Sequence, residues 1–359
     1  MSKNTLQGTA GHAVAAAKKR FSPIEASAIH RLLSAQRGVS AVSLSDVETL
    51  ADGAGASNGI TFFKAQYVED GVERSGEFVL RYEAGEKLFK QNRFSAEFHT
   101  LSAVAKRGLP VPFPVWIDEA GQILGRSGYI LERLHGDAPK AAIYSQGPLA
   151  SVSPATRHDM MLQAADFIAA LAVAGLDAED VPHLAARGGD GHPIDNDLNW
   201  WMTEVSGVTD SALVLDGLLV RAATKLSDRK PADAPIVLVH GDTNFGNMMY
   251  GENRFRAMLD WELSRLGHSE LDLAFTIFCS EIFQIMDKQV EGVPSEQDFI
   301  ARFEAQAGRS VTHWDYHKAY VRFTSACVSV LLADVMGPTL ARSVAELHTD
   351  LLSRALARI

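Results

Sequence analysis

The sequence predicts an α+β protein of two lobes, a small antiparallel β-sheet lobe with one helix and a larger, mainly helical lobe. Short runs of strand character, separated by turn residues, occupy residues 47–132. Helical periodicity dominates from residue 153 onward, interrupted by a β-hairpin pattern near residues 237–260. With 359 residues, 47% hydrophobic and 22% charged, the chain is long enough for two substantial cores.

The N-terminal lobe is predicted in two parts. Residues 1–45 form an extension with one helix, because Ser22-Pro-Ile-Glu25 combines an N-cap, a proline at the first helical position and a capping-box glutamate. This helix should end near Gln36. Residues 46–133 form the sheet lobe, with a helix at about 92–107 and strands at Val47–Leu50, Ile60–Val68, Glu77–Tyr82, Pro114–Asp118 and Gly128–Glu132.

The helical lobe is predicted to span residues 134–359, with the lobe boundary near Arg133. A loop rich in Gly, Pro and Ser leads to Ser153-Pro154, which caps a helix that ends before Gly175. Further helices are predicted at about 210–227, 271–289, 295–307, 312–336 and 338–358.

The most informative stretch is Val237–Tyr250, where an apolar strand delivers His240-Gly-Asp242 and Asn247 follows five residues after the aspartate. Gly251–Arg254 predicts a turn, and a second apolar run then ends on Asp260, opposite Asn247. The alternative is a polar turn between buried strands, whose side chains only satisfy backbone groups. That structure alone does not require Asp, Asn and Asp at these spacings.

This arrangement of side chains favours phosphoryl transfer. The reaction needs a carboxylate that accepts the proton of the attacking hydroxyl, and oxygen ligands for the Mg²⁺ that bridges the nucleotide phosphates. Asp242 suits the first role, and Asn247 and Asp260 suit the second.

A glycine-rich segment between the first two predicted strands is a candidate phosphate-covering loop. Glycines allow backbone amides to approach a phosphate, and Ser and Asn side chains add hydrogen-bonding groups. A flexible hairpin loop explains the segment equally well when it is considered alone. A strand rather than a helix follows, which argues against a dinucleotide-binding motif. The candidate residues are Gly53, Gly55, Ser57 and Asn58.

The third strand places Arg81 where a cation could hold nucleotide phosphates, and Glu97 on the following helix is the candidate that orients it. The alternative for this pair is a surface arginine and a solvated helix glutamate.

Charge and cysteine content exclude other classes of protein. The net charge of -10 argues against a general nucleic-acid or anionic-membrane binder.

Asp334 interrupts the longest apolar stretch, so no membrane span is expected. Cys279 and Cys327 lie in apolar helical patterns and are expected as buried reduced thiols, which fits a cytoplasmic protein. The expected partner is a small molecule with a hydroxyl group, and the oligomeric state is left open.

With these motifs the sequence resembles the aminoglycoside phosphotransferase and choline kinase family, a branch of the protein-kinase-like fold. The resemblance covers roughly residues 45–280 and is strongest at Leu238–Asn247 and Leu259–Glu262. It implies that Asp242 is the catalytic base, that Asn247 and Asp260 are Mg²⁺ ligands, and that residues 53–58 cover the phosphates. It further implies an Arg81–Glu97 ion pair, a catalytic loop supported by Asp272, and an adenine-contacting hinge at Glu132, Arg133 and Leu134.

Some positions depart from the family pattern. Many members have Lys where this chain has Arg81, which binds phosphate as a planar fork rather than a point charge. Together with Ala-Ser-Asn58, this arginine resembles the subgroup related to the kinase-like domains fused to acyl-CoA dehydrogenases, some of which act on hydroxyacyl-CoA substrates. That subgroup's usual Gly-Asp-Pro is Gly267-His-Ser269 here, and a helical Leu-His is Leu171-Ala172.

Two further groups of residues are weaker candidate sites. His313 and His317 have a spacing that can bind zinc, but no third ligand is evident. Trp200-Trp201 follows the acidic stretch 190–197, which could attract a cationic substrate; a solvated loop followed by core-facing aromatic residues is the alternative.

The sequence therefore predicts a small-molecule O-phosphotransferase that uses ATP or GTP with Mg²⁺. Its acceptor substrate is expected to carry a hydroxyl group, as a hydroxyacyl-CoA does. Two alternatives remain open. One is an aminoglycoside, macrolide or amino-alcohol kinase, and the other is a nucleotide-binding protein without transfer activity.

Overall fold

The structure, a computed structural model, describes residues 23–50, 58–85, 87–139, 142–185, 187–208, 217–333 and 338–359. Within these ranges the first lobe is a five-stranded antiparallel sheet with strand order β1-β2-β3-β5-β4. The strands are β1 (Val39–Thr49), β2 (Asn58–Glu69), β3 (Val72–Glu83), β4 (Pro114–Asp118) and β5 (Gly128–Glu132).

A helix covers each face of this sheet. On one face, Ile29 of α1 (Ala26–Ser34) packs in a core cluster with Leu80 and Ile130. On the other face, Tyr129 shares a core cluster with residues of α2 (Phe94–Lys106) and of the helical lobe. Side chains alternate between the faces of a strand, and Arg81 is the register partner of Tyr129. Arg81 therefore points toward α2 and the helical lobe.

The second lobe is built mainly from helices. The long helix α3 carries the predicted caps: the Ser153 side chain accepts from the Thr156 backbone N–H at 3.2 Å, and Gly175 ends the helix in the left-handed region at φ 60°. The helices are α3 (Pro154–Ala174), α4 (Pro182–Ala185), α5 (Pro193–Val205), α6 (Leu218–Asp228), α7 (Glu270–Met286), α8 (Glu296–Ala307), α9 (Trp314–Leu331) and α10 (Pro338–Leu356).

Two nested strand pairs form the centre of the helical lobe. The outer pair is β6 (Val237–Val239) with β9 (Arg265–Gly267), and the inner pair is β7 (Met248–Gly251) with β8 (Arg254–Met258). Glu252 and Asn253 form the turn of the inner hairpin with φ values of 53° and 61°, as a two-residue hairpin turn requires. This nesting places the segment after β6 beside the segment after β8.

The prediction was confirmed for several elements with strong local signals, but the predicted cap of α1 was wrong: α1 begins at Ala26, and Glu25 is its N-cap and makes no side-chain cap hydrogen bond. The observed bounds of β4 and β5 equal the predicted ones. Strand β1 begins at Val39 rather than Val47, because two shifts of register interrupt its pairing with β2 and obscure the alternation of its side chains. The helix predicted at 210–227 is observed at Leu218–Asp228, and residues 209–216 lie outside the described ranges.

Helix α5 was missed, and the expectation of a solvated acidic loop at 190–197 was wrong for its second half. Pro193 stands in the first turn of α5, and the ring nitrogen Nδ1 of His192 accepts from the Ile194 backbone N–H at 3.2 Å. Asp197 lies in the second turn and is buried. The Pro and the N-cap residue were the available signals.

None of the helices in the described ranges combines the length and the apolar character that crossing a bilayer requires.

Candidate active site

The nested strands bring two loops together. The Leu259 backbone N–H donates to the Asn247 carbonyl at 2.8 Å, which ties the segment before Asp260 to the segment after Asp242. His240 links the loops a second time, because its Nε2 lies 2.9 Å from the Leu259 carbonyl. The His240 Nδ1 accepts from the Asp242 backbone N–H at 3.1 Å, so Nε2 carries the proton.

Asp242 is held by two amide side chains. The Asn244 Nδ2 donates to Asp242 Oδ1 at 2.7 Å, and the Asn247 Nδ2 donates to Oδ2 at 2.9 Å. Burial raises the pKa of Asp242 above its ordinary value, and Asp260 acts in the same direction, while the bond from Asn244 opposes the rise. A carboxylate with a raised pKa is a stronger proton acceptor. Sequence reasoning missed Asn244, which its position two residues after the aspartate could have indicated.

The backbone around Asp242 is fixed by a second carboxylate. Asp272, at the start of α7, accepts from the backbone N–H groups of His240 at 2.7 Å and Gly241 at 2.8 Å. Gly241 has φ +87°, and a Cβ there would lie 2.3 Å from both the Leu263 carbonyl oxygen and the Arg265 guanidinium. The tight approach and the positive φ both require glycine. Asp272 therefore supports the loop, as the resemblance implies.

The predicted ion pair is formed. Arg81 Nη1 donates to Glu97 Oε1 at 2.5 Å, and Nη2 donates to Asp260 Oδ1 at 3.2 Å. Glu97 Oε1 also accepts from the Trp261 backbone N–H at 3.1 Å. Burial disfavours the charged guanidinium, but Glu97, Tyr129 and Asp260 outweigh this effect and raise the pKa of Arg81 well above its ordinary value. The surface alternative for this pair is wrong, since Glu97 is 3% exposed.

Glu262 is a further carboxylate at this site. Burial, followed by Asp260 and Glu97, raises its pKa to about 8. Glu262 lies two residues after Asp260, and the sequence motif alone does not indicate a role for it. The electrostatic influence of Asp242 reaches Glu262 as well. Asp260, Glu97 and Asp242 each disfavour the charged form of Glu262, which shows that these four carboxyl groups lie near one another.

The remaining predicted site residues are distributed as follows. Gly53, Gly55 and Ser57 lie outside the described residues, whereas Asn58 begins β2 and lines a small cavity together with Glu97 and Glu262.

At the predicted hinge, the Glu132 backbone N–H donates to the Phe113 carbonyl at 2.9 Å, and that of Arg133 donates to the Glu77 carbonyl at 2.8 Å. The Arg133 guanidinium lies 4.4 Å from the centroid of the Phe62 ring. Leu134 follows directly.

The weaker candidate sites are not supported. Trp200 and Trp201 are 2% and 1% exposed in the core of the helical lobe, so the core-facing interpretation is confirmed. His313 lies 2.7 Å from Asp233, and His317 lies 3.0 Å from His268. No three His, Cys, Asp or Glu side chains in the described ranges form a group that could hold a metal ion. Cys279 and Cys327 are buried free thiols, as expected.

Comparison with protein families gives one match that covers most of the chain. The model of the phosphotransferase enzyme family matches residues 61–320. This range contains Arg81 and Glu97 and both loops of the site.

Curated relatives include two acyl-CoA dehydrogenase family members. Member 10 from Mus musculus is 23% identical over 265 residues, covering 70% of this chain and 24% of the relative. Member 11 from Gallus gallus is 27% identical over 212 residues, covering 57% of this chain and 25% of the relative. The chain thus spans about a quarter of the length of these relatives.

Solved structures with similar folds include several phosphotransferases. A Ralstonia eutropha JMP134 protein, named as an aminoglycoside phosphotransferase, has a TM-score of 0.64 at 22% identity and covers 92% of this chain and 99% of its own. Plasmodium vivax ethanolamine kinase has a TM-score of 0.58 at 12% identity, and the alignment covers 87% of this chain and 82% of the kinase. Aminoglycoside phosphotransferase APH(4)-Ia, in complex with AMP-PNP and hygromycin B, has a TM-score of 0.50 at 18% identity, and the alignment covers 93% of this chain and 96% of that protein. These likenesses show the two-lobed kinase-like fold.

Proposed function

The chain belongs to the phosphotransferase enzyme family, and from that premise we propose that it transfers the γ-phosphoryl group of ATP or GTP to a hydroxyl group of a small molecule. One observation carries the proposal. Asp242, Asn247 and Asp260 meet across two nested loops, and Arg81 reaches the same point from the other lobe. A base, two oxygen ligands and a buried cation are the groups that phosphoryl transfer needs.

In this proposal Asp242 accepts the proton of the acceptor hydroxyl while the hydroxyl oxygen bonds to the γ-phosphorus. The bond between the γ-phosphorus and the β–γ bridging oxygen breaks, and ADP or GDP leaves. The amide groups of Asn244 and Asn247 orient the Asp242 carboxylate, at 2.7 and 2.9 Å. Both hydrogen bonds oppose the rise in its pKa, but burial outweighs them and keeps its proton affinity high. Arg81 balances negative charge that builds on the transferred group, and Glu97 holds the guanidinium in place. Asp272 keeps the loop backbone fixed, so the base is in position before substrate binds.

The donor set at this site fits Mg²⁺. Because the Asn247 amide nitrogen donates to Asp242, its oxygen is the atom that would ligate the metal, together with Asp260. Mg²⁺ is commonly held by one or two protein oxygens plus the phosphates of the substrate, and Asn247 and Asp260 would supply two such oxygens. When bound, Mg²⁺ supplies charge stabilisation for the nucleotide phosphates. The gathered carboxylates favour such a cation.

The nucleotide would lie between the lobes. Segment 53–58 would cover its phosphates, and the hinge at Glu132, Arg133 and Leu134 would contact the base. Because the N–H groups of Glu132 and Arg133 already donate within the sheet lobe, the Leu134 N–H is the donor we assign to the base. APH(4)-Ia, which shares this fold, was solved with the ATP analogue AMP-PNP.

For the acceptor we propose a hydroxyacyl-CoA. The curated relatives are acyl-CoA dehydrogenase family members, which points to acyl-CoA chemistry. Neighbours of the same fold include an ethanolamine kinase and a phosphotransferase bound to hygromycin B. Amino alcohols and aminoglycosides are therefore the comparison substrates. Trp200 and Trp201 are buried, so they cannot stack on a cationic acceptor, and Asp197 of the acidic stretch is buried as well.

The test is a thermal-shift titration with ATP and with GTP, each with and without Mg²⁺, followed by a nucleotide-consumption assay with the acceptor panel. We expect stabilisation that depends on Mg²⁺, since a ligand that binds only the folded state raises its stability. Turnover with a hydroxyacyl-CoA and not with hygromycin B or ethanolamine would support the acceptor. Absence of stabilisation by either nucleotide at millimolar concentration would instead favour a protein without transfer activity.

A further inference from the structure

The connection between β3 and α2 is anchored in the helical lobe rather than in its own lobe. We name residues 87–92 the clasp segment. Within it, Phe89 is 5% exposed and lies with its ring centroid 5.7 Å from that of Trp200 and 5.8 Å from that of Trp201. A large buried aromatic ring contributes strongly to packing. The clasp segment is therefore packed into the core that α5 shares with α6, α9 and α10.

One carboxylate of α5 holds the backbone of the clasp segment. Glu204 Oε2 accepts from the Lys90 backbone N–H at 2.9 Å, and Oε1 accepts from the Gln91 backbone N–H at 2.7 Å. Glu204 is 5% exposed. Two charge-assisted bonds from adjacent amides to one buried carboxylate fix the position of the chain more strongly than neutral bonds would. The Gln91 side chain adds a bond to the Trp200 carbonyl at 3.1 Å.

The clasp segment also contacts the loop that carries Asp260. Asn92 Nδ2 donates to the Glu262 carbonyl at 3.0 Å. Helix α2 begins two residues later, at Phe94, and Glu97 lies in its first turn. A helix is a stiff element, so fixing the chain just before its first residue sets the position of every side chain in its first turn. The position of Glu97 relative to Asp260 is thus set from the helical lobe.

We propose that Glu204 is a positioning residue for the Arg81–Glu97 ion pair. Through the backbone of Lys90 and Gln91 it fixes the start of α2, and so it keeps Glu97 within reach of Arg81 before nucleotide binds. This inference rests on the proposed function, because it assigns Glu204 a part in forming the nucleotide site. Helix α2 then moves with the helical lobe, although it covers a face of the small sheet.

The substitution Glu204→Gln tests this role. Glutamine keeps the shape of the side chain, but it presents an amide N–H₂ to one of the two backbone N–H groups. In the protein without nucleotide, we expect amide hydrogen exchange at Lys90, Gln91 and the first turn of α2 to accelerate about tenfold. We expect affinity for Mg-nucleotide to fall on the order of fivefold, since α2 then populates positions in which Glu97 does not meet Arg81.

A double-mutant cycle distinguishes positioning from general stability. If Glu204 acts through Glu97, then Glu204→Gln should have no further effect on nucleotide affinity in a Glu97→Gln background. A fivefold loss in both backgrounds would overturn the proposal, as would unchanged exchange in the clasp segment of the single variant. If Glu204→Gln does not fold, Asn92→Ala removes the contact to Glu262 and should give the same non-additive pattern.

Asp180→Asn is the matched control. Asp180 also belongs to the helical lobe, and its Oδ1 accepts from Nη2 of Arg107, the C-cap residue of α2, at 2.9 Å. This pair is solvent-exposed. The control should leave nucleotide affinity and exchange in the clasp segment unchanged. If the wild-type protein itself is not stabilised by Mg-nucleotide, the proposed function fails together with this inference. If wild type is stabilised and Glu204→Gln is stabilised equally, the inference alone fails.

Discussion

The two sides of the candidate site are held in different ways. On the acceptor side, Asp242 is fixed by neighbours within the helical lobe: Asn244 and Asn247 bind its carboxylate, and Asp272 binds the backbone N–H groups of His240 and Gly241 just before it. On the nucleotide side, Asp260 meets Arg81 across the lobes. The base is thus preorganised by one lobe, whereas the nucleotide side depends on how the two lobes are aligned. Substitutions on the two sides should therefore affect different steps.

The largest expected effect is that of Asp242→Ala. Removing the proposed base should lower kcat by about a thousandfold or more, while Mg-nucleotide binding stays close to that of wild type, because the nucleotide side is held separately. Turnover and thermal shift measured on the same preparation check both statements. Asp350→Ala, which removes an exposed carboxylate of α10, is the control. Wild-type turnover in Asp242→Ala would exclude its role as the base.

Asp260→Ala should act on the other side. It removes a proposed Mg²⁺ ligand and one partner of Arg81, so affinity for Mg-nucleotide should fall about a hundredfold. Nucleotide titrations with and without Mg²⁺ separate the loss of the metal ligand from the loss of the contact with Arg81. If nucleotide affinity stays intact and kcat alone falls, the division between the two sides is wrong.

Arg81→Lys is a more conservative test of the contact between Arg81 and Asp260 across the lobes. Lysine keeps the positive charge but cannot bridge Glu97 and Asp260 as a planar fork. We expect nucleotide affinity to fall about tenfold, with a smaller change in the KM of the acceptor. An unchanged nucleotide affinity would show that the positive charge alone suffices at this position.

The last prediction concerns neither side of the site. His268 and His317 are buried and in contact at 3.0 Å, and burial lowers their pKa values to about 4 and about 3. Between these values and the ordinary histidine pKa, the unfolded chain binds protons that the folded protein does not, so stability falls as pH falls below about 6.5. Each histidine should remove about 2 kcal/mol of unfolding free energy between about pH 7.5 and pH 5.

The variant His317→Asn checks this pH dependence. Its unfolding free energy, measured with denaturant at both pH values, should fall by about 2 kcal/mol less than that of wild type. Because the side chain does not contact the site, nucleotide affinity at neutral pH should be unchanged. An equal loss in both proteins would mean that other groups account for the acid sensitivity.

Sequence reasoning succeeded where the determining interactions are local. The caps Ser153 and Gly175 and the turn after Gly251 lie within a few residues of the elements they define. The stretch from His240 to Asn247 could also be recognised from the sequence, because its hydrogen bonds join residues that are only two to five positions apart.

The missed features depend on distant parts of the chain. Glu204 binds backbone groups more than a hundred residues earlier, and no spacing in the sequence indicates such a contact. Asp197 was assigned to a solvated loop because acidic residues are usually exposed. Its burial depends on Arg265, at 3.0 Å, and on the Tyr320 hydroxyl, at 2.7 Å.

The nesting of β7–β8 inside β6–β9 also bears on the order in which the site assembles during folding. Asn247 and Leu259, whose backbones are bonded, lie twelve residues apart, whereas Arg81 and Asp260 are separated by 179 residues. Closing the longer loop costs about 2 kcal/mol more in chain entropy. We therefore expect the β7–β8 hairpin and the flanking loops that carry the base and the metal ligands to form early, and Arg81 to join them only when the two lobes come together.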